Sequence, residues 1–132
     1  MPHHIAIDPE RRLVAIRYWG PITRKDFDRV RASLKSNSAF DPSFDAITDL
    51  RDADMRQISL ADVESIAAQS LLQSTARRAI LADRSDQLGL ARLYGTLRGI
   101  AGRETTRVFW ESEDAANWLN LDGLELARFL AP

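Results

Sequence analysis

The order of its apolar segments constrains this chain most: a hairpin opens it, and helices then alternate with strands. A short apolar segment at 5–7 and a β-branched and aromatic segment at 13–19 flank a polar turn at 8–12, which is typical of an antiparallel hairpin. Gly20-Pro21 ends the second strand. Later strands separated by helices need crossover connections and therefore run mainly parallel. The pattern predicts an α/β fold.

The remaining elements follow from hydrophobic periodicity and capping residues. We expect four main helices, which follow Pro21, Ile58, Asp86 and Glu111, and a final helical segment over 122–130. Further strands are expected over 44–50, 79–82 and 105–110, and the continuous apolar run 79–82 indicates a strand covered on both faces. The prediction is a single domain over 1–132 with a core over 5–119. Its sheet is mixed, mainly parallel and five-stranded, with an N-terminal antiparallel hairpin and four to five helices.

Composition removes several classes of function. There is no cysteine, which excludes disulfides, thiol catalysis and thiolate metal sites. The two histidines, His3 and His4, are adjacent at the N-terminus, and the net charge of -1 gives no general attraction to nucleic acid. No apolar stretch approaches the ~20 residues of a membrane span, and no signal peptide opens the chain. We therefore expect a cytoplasmic protein without cofactor or metal, and no enzyme, because no nucleophile–base pair can be assembled.

Four segments together resemble the STAS-like family, which is related to the sporulation anti-anti-sigma factor and lies within a wider STAS and CRAL-TRIO-like group. They are IAIDPERRLVAIRYWGPIT, FDAITDLRDADMRQIS, RRAILADRSDQLGLARLY and RVFWESEDAANWL. The resemblance spans about Ile5 to Leu119 and implies a mixed sheet backed on one side by helices. It also implies a protein that binds partners or small ligands without turnover.

The best-known STAS members act as switches, in which a partner kinase phosphorylates a serine that begins the helix after the third strand. Their motif is an aspartate, a serine or threonine pair and a glycine, whereas this chain has Gln57-Ile58-Ser59-Leu60. Ser59 lies near the motif serine, but the aspartate and the glycine are absent. A phosphate suits a helix N-terminus, yet Asp62 and the acidic segment before it would repel one. We expect Ser59 to cap its helix, with Asp62 completing a weak capping box.

An acidic run follows the predicted central strand, at the sheet end where ligands bind in open parallel sheets. Asp49, Asp52 and Asp54 could hold Mg²⁺, or Asp49 could accept a phosphate, with Arg51 and Arg56 supplying positive charge. No Gly-rich phosphate loop accompanies them, so we expect a solvated loop of Asp–Arg pairs. The candidate phospho-acceptor or partner-contact residues are Ser59, Asp49, Asp52, Asp54 and Arg56.

Three further patterns carry expectations. Gly95 and Gly99 lie four residues apart in a predicted helix, which indicates close packing against another backbone. The arginines of the second half are interleaved with acids, so we expect them on a solvated surface, with an anionic pocket at Arg92 as the alternative. Trp118 lies on a helical stripe and is expected in the core, and Trp19 ends a strand and is expected to be partly exposed.

Two functions remain open. The first is a non-enzymatic regulatory or interaction module, either a homodimer or the docking partner of a kinase-like or sigma-regulating protein. The second is a carrier of a small apolar or lipid-like ligand, which a pocket above ~300 Å³ between sheet and helices would favour. For a homodimer we prefer the apolar C-terminal segment over the N-terminal sheet edge as the interface. The candidate interface residues are Trp19, Phe129 and Leu130.

Overall fold

The computed structural model describes residues 2–131, which form a five-stranded sheet with helices on both faces. The strands are β1 (His3–Asp8), β2 (Leu13–Pro21), β3 (Asp45–Asp54), β4 (Arg77–Leu81) and β5 (Thr105–Phe109). The helices are α1 (Arg24–Lys35), α2 (Leu60–Gln69), α3 (Ser85–Ile100), α4 (Ser112–Trp118) and α5 (Gly123–Leu130).

The strands lie in the sheet in chain order, β1-β2-β3-β4-β5. β1 pairs antiparallel with β2, in a register that places Ile5 opposite Ile16 and Ile7 opposite Val14. β2, β3, β4 and β5 run parallel, and α1, α2 and α3 are the crossover helices between them. The predicted mixed sheet with an N-terminal hairpin is confirmed.

Several predicted strands and helices were too short, including β3 and α3. β3 continues past Leu50 to Asp54, because β2 keeps pairing with it up to Pro21 opposite Asp54. α3 begins at Ser85 rather than after Asp86, since the Gln87 side chain accepts hydrogen bonds from the backbone N–H groups just before the helix. β3 is extended by its neighbour in the sheet, whereas α3 is extended by a capping side chain in its own first turn.

The helices cover both faces of the sheet, whereas the family resemblance implied one. Right-handed crossovers along a sheet built in one direction place α1, α2 and α3 on the same face, over Val14, Ile16 and Ile80. The opposite face is equally apolar, and α4 and α5 return over it after the last strand to pack against Leu13 and Ile47. A sheet with two apolar faces needs two covering layers.

The two helical glycines differ in their surroundings. A Cβ placed on Gly95 would lie 3.2 Å from the Thr106 side chain of β5, so the predicted close packing is confirmed there. A Cβ on Gly99 would meet nothing within 4 Å, so the prediction was wrong at that position. Only one of the two glycines therefore packs against β5.

α5 closes the second layer. Leu126 and Leu130 are buried against the protein's own sheet, while Leu124 is 73% exposed. Among residues 2–131 no helix is both long and apolar enough to cross a membrane.

Candidate functional site

The predicted acidic segment forms ion pairs within and beside β3. Asp49 is only 3% exposed and accepts two hydrogen bonds from the Arg51 guanidinium, at 3.0 Å from Nε to Oδ1 and 3.0 Å from Nη2 to Oδ2. The backbone N–H of Arg51 adds a third bond at 3.0 Å. The expectation of a solvated loop was wrong at Asp49, because this residue lies within β3 between β2 and β4 and its side chain is buried.

The other two carboxylates are paired as expected, each with its own arginine. Arg17 Nη2 lies 3.0 Å from Asp52 Oδ2, and Arg56 Nη2 lies 2.7 Å from Asp54 Oδ2. Hydrogen bonds from the Arg56 side chain and backbone lower the pKa of Asp54 to about 2. Within residues 2–131 no three acidic or histidine side chains form a group that could hold a metal ion.

Ser59 is the N-cap of α2 and has an exposed side chain. Its hydroxyl accepts a hydrogen bond from the Asp62 backbone N–H at 3.0 Å, and its own N–H donates to Asp62 Oδ2 at 2.9 Å. This backbone donor lowers the pKa of Asp62 below its ordinary value. The geometry is the capping box that the sequence predicts.

The three candidate interface residues lie in different environments. Trp19 is half-buried at the end of β2, and Arg17 lies over its ring at 5.5 Å. Phe129 is half-buried against α4 and the sheet, and Leu130 is 5% exposed in the core. Trp118 packs on Phe109 and is only half-buried, whereas the sequence predicted that it lies in the core.

A buried polar cluster beneath α2 and α3 is the feature that the sequence interpretation missed. Glu104 is fully buried and accepts hydrogen bonds from Arg98 Nε at 2.6 Å, Arg78 Nε at 3.3 Å and the Tyr94 hydroxyl at 2.7 Å. Arg78 also donates to the Thr48 hydroxyl at 2.7 Å. The expectation that the second-half arginines are solvated was wrong for Arg78 and Arg98.

Arg98 also closes the C-terminal end of α2. Its Nη1 donates to the Ala67 carbonyl at 2.7 Å, and its Nη2 donates to the Leu72 carbonyl at 2.9 Å. The Ala67 carbonyl is in the last turn of α2, where carbonyls have no partner within the helix, and Leu72 lies in the segment that follows α2. A signal was present in the sequence, because Tyr94 and Arg98 are four residues apart on the inward stripe of α3.

The cluster has perturbed ionisation. Burial by itself would raise the pKa of Glu104, but the charge of Arg78 and the hydrogen bonds from Tyr94 and Arg98 outweigh burial and hold the pKa below its ordinary value. Burial raises the pKa of Tyr94. Glu104 is therefore an anion, and the Tyr94 hydroxyl remains a hydrogen-bond donor to it.

A cavity of about 120 Å³ lies between the sheet and α1, α2 and α3, next to this cluster. Its walls are mostly apolar side chains of the core. The polar lining residues are Thr48, Ser70, Arg78 and Tyr94, which are linked by hydrogen bonds, and also Asp28, Arg31 and Gln69. Its volume is below the ~300 Å³ that would favour the carrier. It suits only a small molecule.

A second concavity lies at the edge of the sheet. This groove, of about 330 Å³, is lined by Ile5, Ile7, Ser33, Leu34, Asn37 and Ala39. It runs between β1 and the C-terminal half of α1, and no aromatic side chain lines it.

β1 is an edge strand with an open outer side among the described residues. The Trp19 N–H bonds to the Pro2 carbonyl at 3.1 Å, and the register then directs the backbone groups of residues 4, 6 and 8 towards β2. His3, Ile5 and Ile7 therefore direct their N–H and C=O groups outward. Asp8, at its end, is the only acidic or basic residue apart from histidine in β1.

Comparison with known proteins identifies the fold. No family model matches the sequence, and no curated protein matches it. The structure is similar to the crystal structure of an uncharacterized protein from the DUF3478 family with a SpoIIAA-like fold, from Shewanella loihica PV-4. The superposition has a TM-score of 0.57 and 18% sequence identity, and it covers 89% of this chain and 93% of the Shewanella protein. The STAS-like resemblance is thereby confirmed for the architecture: this chain has a SpoIIAA-like fold.

Proposed function

We propose that this chain is a non-enzymatic regulatory or protein-interaction module, that its docking element is the outer edge of β1, and that a second copy of the chain is its partner. The observation that carries the proposal is the row of outward backbone groups at His3, Ile5 and Ile7. Unpaired edge groups invite another strand unless charge or proline blocks them. The proposal retains the cytoplasmic location expected from the sequence.

The open side of β1 is self-complementary. The three outward residues are placed symmetrically about Ile5, so two antiparallel copies of β1 can pair Ile5 with Ile5 and His3 with Ile7. The two sheets would then continue through the interface. The groove between β1 and α1 would meet its counterpart across the two-fold axis.

Two other surfaces support pairing less well. β5 is the opposite edge of the sheet, but it carries the exposed Arg107 at its centre, and a charge there opposes pairing. The C-terminal segment, the preferred interface at the sequence level, has Leu126 and Leu130 buried in its own core.

Light scattering at micromolar concentration tests the proposal. We expect a mass of two 14.9 kDa chains for the wild type. Ile5→Pro removes an outward N–H at the two-fold axis but no bond to β2, and it should give the mass of one chain with an unchanged circular dichroism spectrum. Ile5→Ala is the matched control, since it removes the side chain and keeps the N–H, and it should retain the dimer.

Phe129→Glu separates the two candidate interfaces. If β1 forms the dimer, this substitution on α5 leaves the mass unchanged, whereas a C-terminal interface would dissociate. A wild type with the mass of one chain, or a dimeric Ile5→Pro variant, would contradict pairing through β1.

The second candidate function is a carrier of a small ligand. It is favoured by one observation, the mostly apolar cavity that Arg78 and Tyr94 also line. Native mass spectrometry of freshly purified protein reports the assembly and any retained ligand in one measurement. A retained mass in excess of the chain supports the carrier.

A further inference from the structure

We propose that the cavity is a binding site for a small carboxylate with a compact apolar body, and that Arg78 is the residue that binds the carboxylate. This inference rests on the second candidate function, the carrier, and it specifies the chemical class of the ligand. Three features of the cavity carry it: its charge, its free donors and its size.

The charge of the buried cluster is unbalanced. Arg78 and Arg98 share a single carboxylate, Glu104, and Arg98 is the closer of the two at 2.6 Å against 3.3 Å. Arg98 is committed to Glu104 and to the end of α2 and does not line the cavity. Arg78 does line it and is the cation in excess. A buried cation without a full counter-charge is costly, so a bound anion would be favoured here.

Arg78 has donors to spare. A guanidinium carries five N–H groups, and the bonds of Arg78 to Glu104, Thr48 and Ser70 use one at each nitrogen. A second N–H therefore remains on Nη1 and on Nη2. Paired donors on a planar fork match the two oxygens of a carboxylate, which is why arginine binds this group so well.

The other charged side chains along the cavity come from α1. Arg31 lines it, and its Nε is buried without a hydrogen-bond partner in the structure. Asp28 also lines it, and its carboxylate lies 3.8 Å from Arg24. The lining thus contains two cations and one anion, and it keeps one positive charge in excess.

The size of the cavity limits the apolar part of the ligand. Benzene fills an engineered apolar cavity of roughly 150 Å³ in another protein. The present cavity, at about 120 Å³, accepts a body of similar or smaller size and excludes an extended acyl chain. Its apolar walls, including Val14, Leu50 and Ile80, would surround a branched aliphatic or single-ring group.

Titration calorimetry and ¹H–¹⁵N spectra of the full chain test the assignment, with isovalerate and benzoate as anionic probes. Isoamyl alcohol and benzyl alcohol are their neutral counterparts, and octanoate is the overlong acid. We expect the two small acids to bind at least ~10-fold more tightly than the alcohols, because a charge-assisted pair replaces a neutral contact. Octanoate should bind more weakly than isovalerate.

Two variants at adjacent positions of β4 test which arginine binds the carboxylate of the ligand. Arg78→Met should remove the preference for acids over alcohols. Arg77→Met is the matched control: Arg77 pairs with Asp45 and lies over Trp118 on the opposite face, so its loss should leave the preference intact. The comparison of acid and alcohol in the wild type stands even if Arg78→Met does not fold.

The outcomes separate the inference from the function on which it rests. If the alcohols bind as tightly as the acids, the carrier stands and the carboxylate assignment is overturned. If neither class binds at millimolar concentration, both are overturned, and Arg78, Glu104 and Arg98 form a structural triad only. Acid binding that survives in Arg78→Met places the anion elsewhere and also overturns the assignment.

Discussion

At the scale of single residues, the side chains that stabilise this fold most specifically are those that form several hydrogen bonds. Ser59 lies at the surface, yet its hydroxyl and backbone N–H are both engaged with Asp62. Glu104 lies fully inside and accepts bonds from three side chains. In both places, side chains supply hydrogen bonds to polar groups that would otherwise lack a partner. These groups lie at a helix N-terminus in the first case and in the core in the second.

Replacing Ser59 by alanine should lower the free energy of unfolding by ~1 kcal/mol, because the Asp62 N–H loses its acceptor. Urea denaturation measures this. Ser112→Ala is the matched control, since Ser112 is the first residue of α4 and the N-cap there is Glu111.

Incubation with ATP and Mg²⁺ alone should leave Ser59 unmodified. Phosphorylation of Ser59 in cells, with loss of partner binding in Ser59→Asp, would favour the switch instead.

Replacing Glu104 by glutamine should cost ~3–5 kcal/mol, because two buried guanidinium groups lose their counter-charge. Glu125→Gln, at an exposed pair with Arg11, should cost under ~1 kcal/mol. Equal losses at the two sites in urea denaturation would contradict the role assigned to the cluster.

The carboxylate of Glu104 should also make the free energy of unfolding fall at acid pH. The pKa of Glu104 is lowered on folding, so its contribution is complete well above the ordinary value of 4.5 and is lost as the pH falls towards the folded-state pKa. Denaturation curves from pH 7 to about pH 3 should show this loss in the wild type and a weaker dependence on pH in Glu104→Gln.

At the scale of elements, α3 shows how one helix serves two environments. A Cβ on Gly95 would lie 3.2 Å from the Thr106 side chain of β5, which is a tight contact, while a Cβ on Gly89, earlier in α3, would meet nothing within 4 Å. The helix therefore packs closely at one glycine and is open at the other.

Gly89→Ala should therefore raise the free energy of unfolding by up to ~1 kcal/mol, through the higher helix propensity of alanine. Gly95→Ala should give no gain or a loss, because its Cβ would press on the Thr106 side chain at 3.2 Å. The two melting temperatures, compared with that of the wild type, check the contrast. A gain at Gly95 equal to that at Gly89 would show that β5 yields easily.

At the scale of the whole molecule, the sheet is the shared wall of two separate cores. α1, α2 and α3 enclose the core that contains the cavity and the buried cluster. α4 and α5 enclose a second core built on Leu13, Ile47 and Leu81. The cavity lies in the first core, and the sheet separates it from the second.

Leu126→Ala should lower the free energy of unfolding by ~2–5 kcal/mol, because it empties a buried position between α5 and the sheet. Leu124→Ala, at an exposed position two residues away, should change stability by less than ~0.5 kcal/mol. Chemical denaturation checks both. Similar small effects at the two positions would mean that α5 is not firmly packed on the sheet.

The sequence by itself determined the class of fold, because hydrophobic periodicity and crossover geometry depend only on local pattern and chain connectivity. It predicted the hairpin, the parallel strands and the capping box at Ser59. It also indicated, through the apolar run at 79–82, a strand covered on both faces. These features are set by residues close together along the chain.

Only the tertiary structure decided which polar residues are buried and which surfaces stay open. Arg78, Arg98 and Glu104 look in sequence like other charged residues, and they meet because β4, α3 and the loop before β5 converge behind α2. The open side of β1 and the burial of Leu130 likewise depend on which elements lie beside them. Burial is a property of long-range packing, and local spacing gives only a partial signal of it, here the four-residue step from Tyr94 to Arg98.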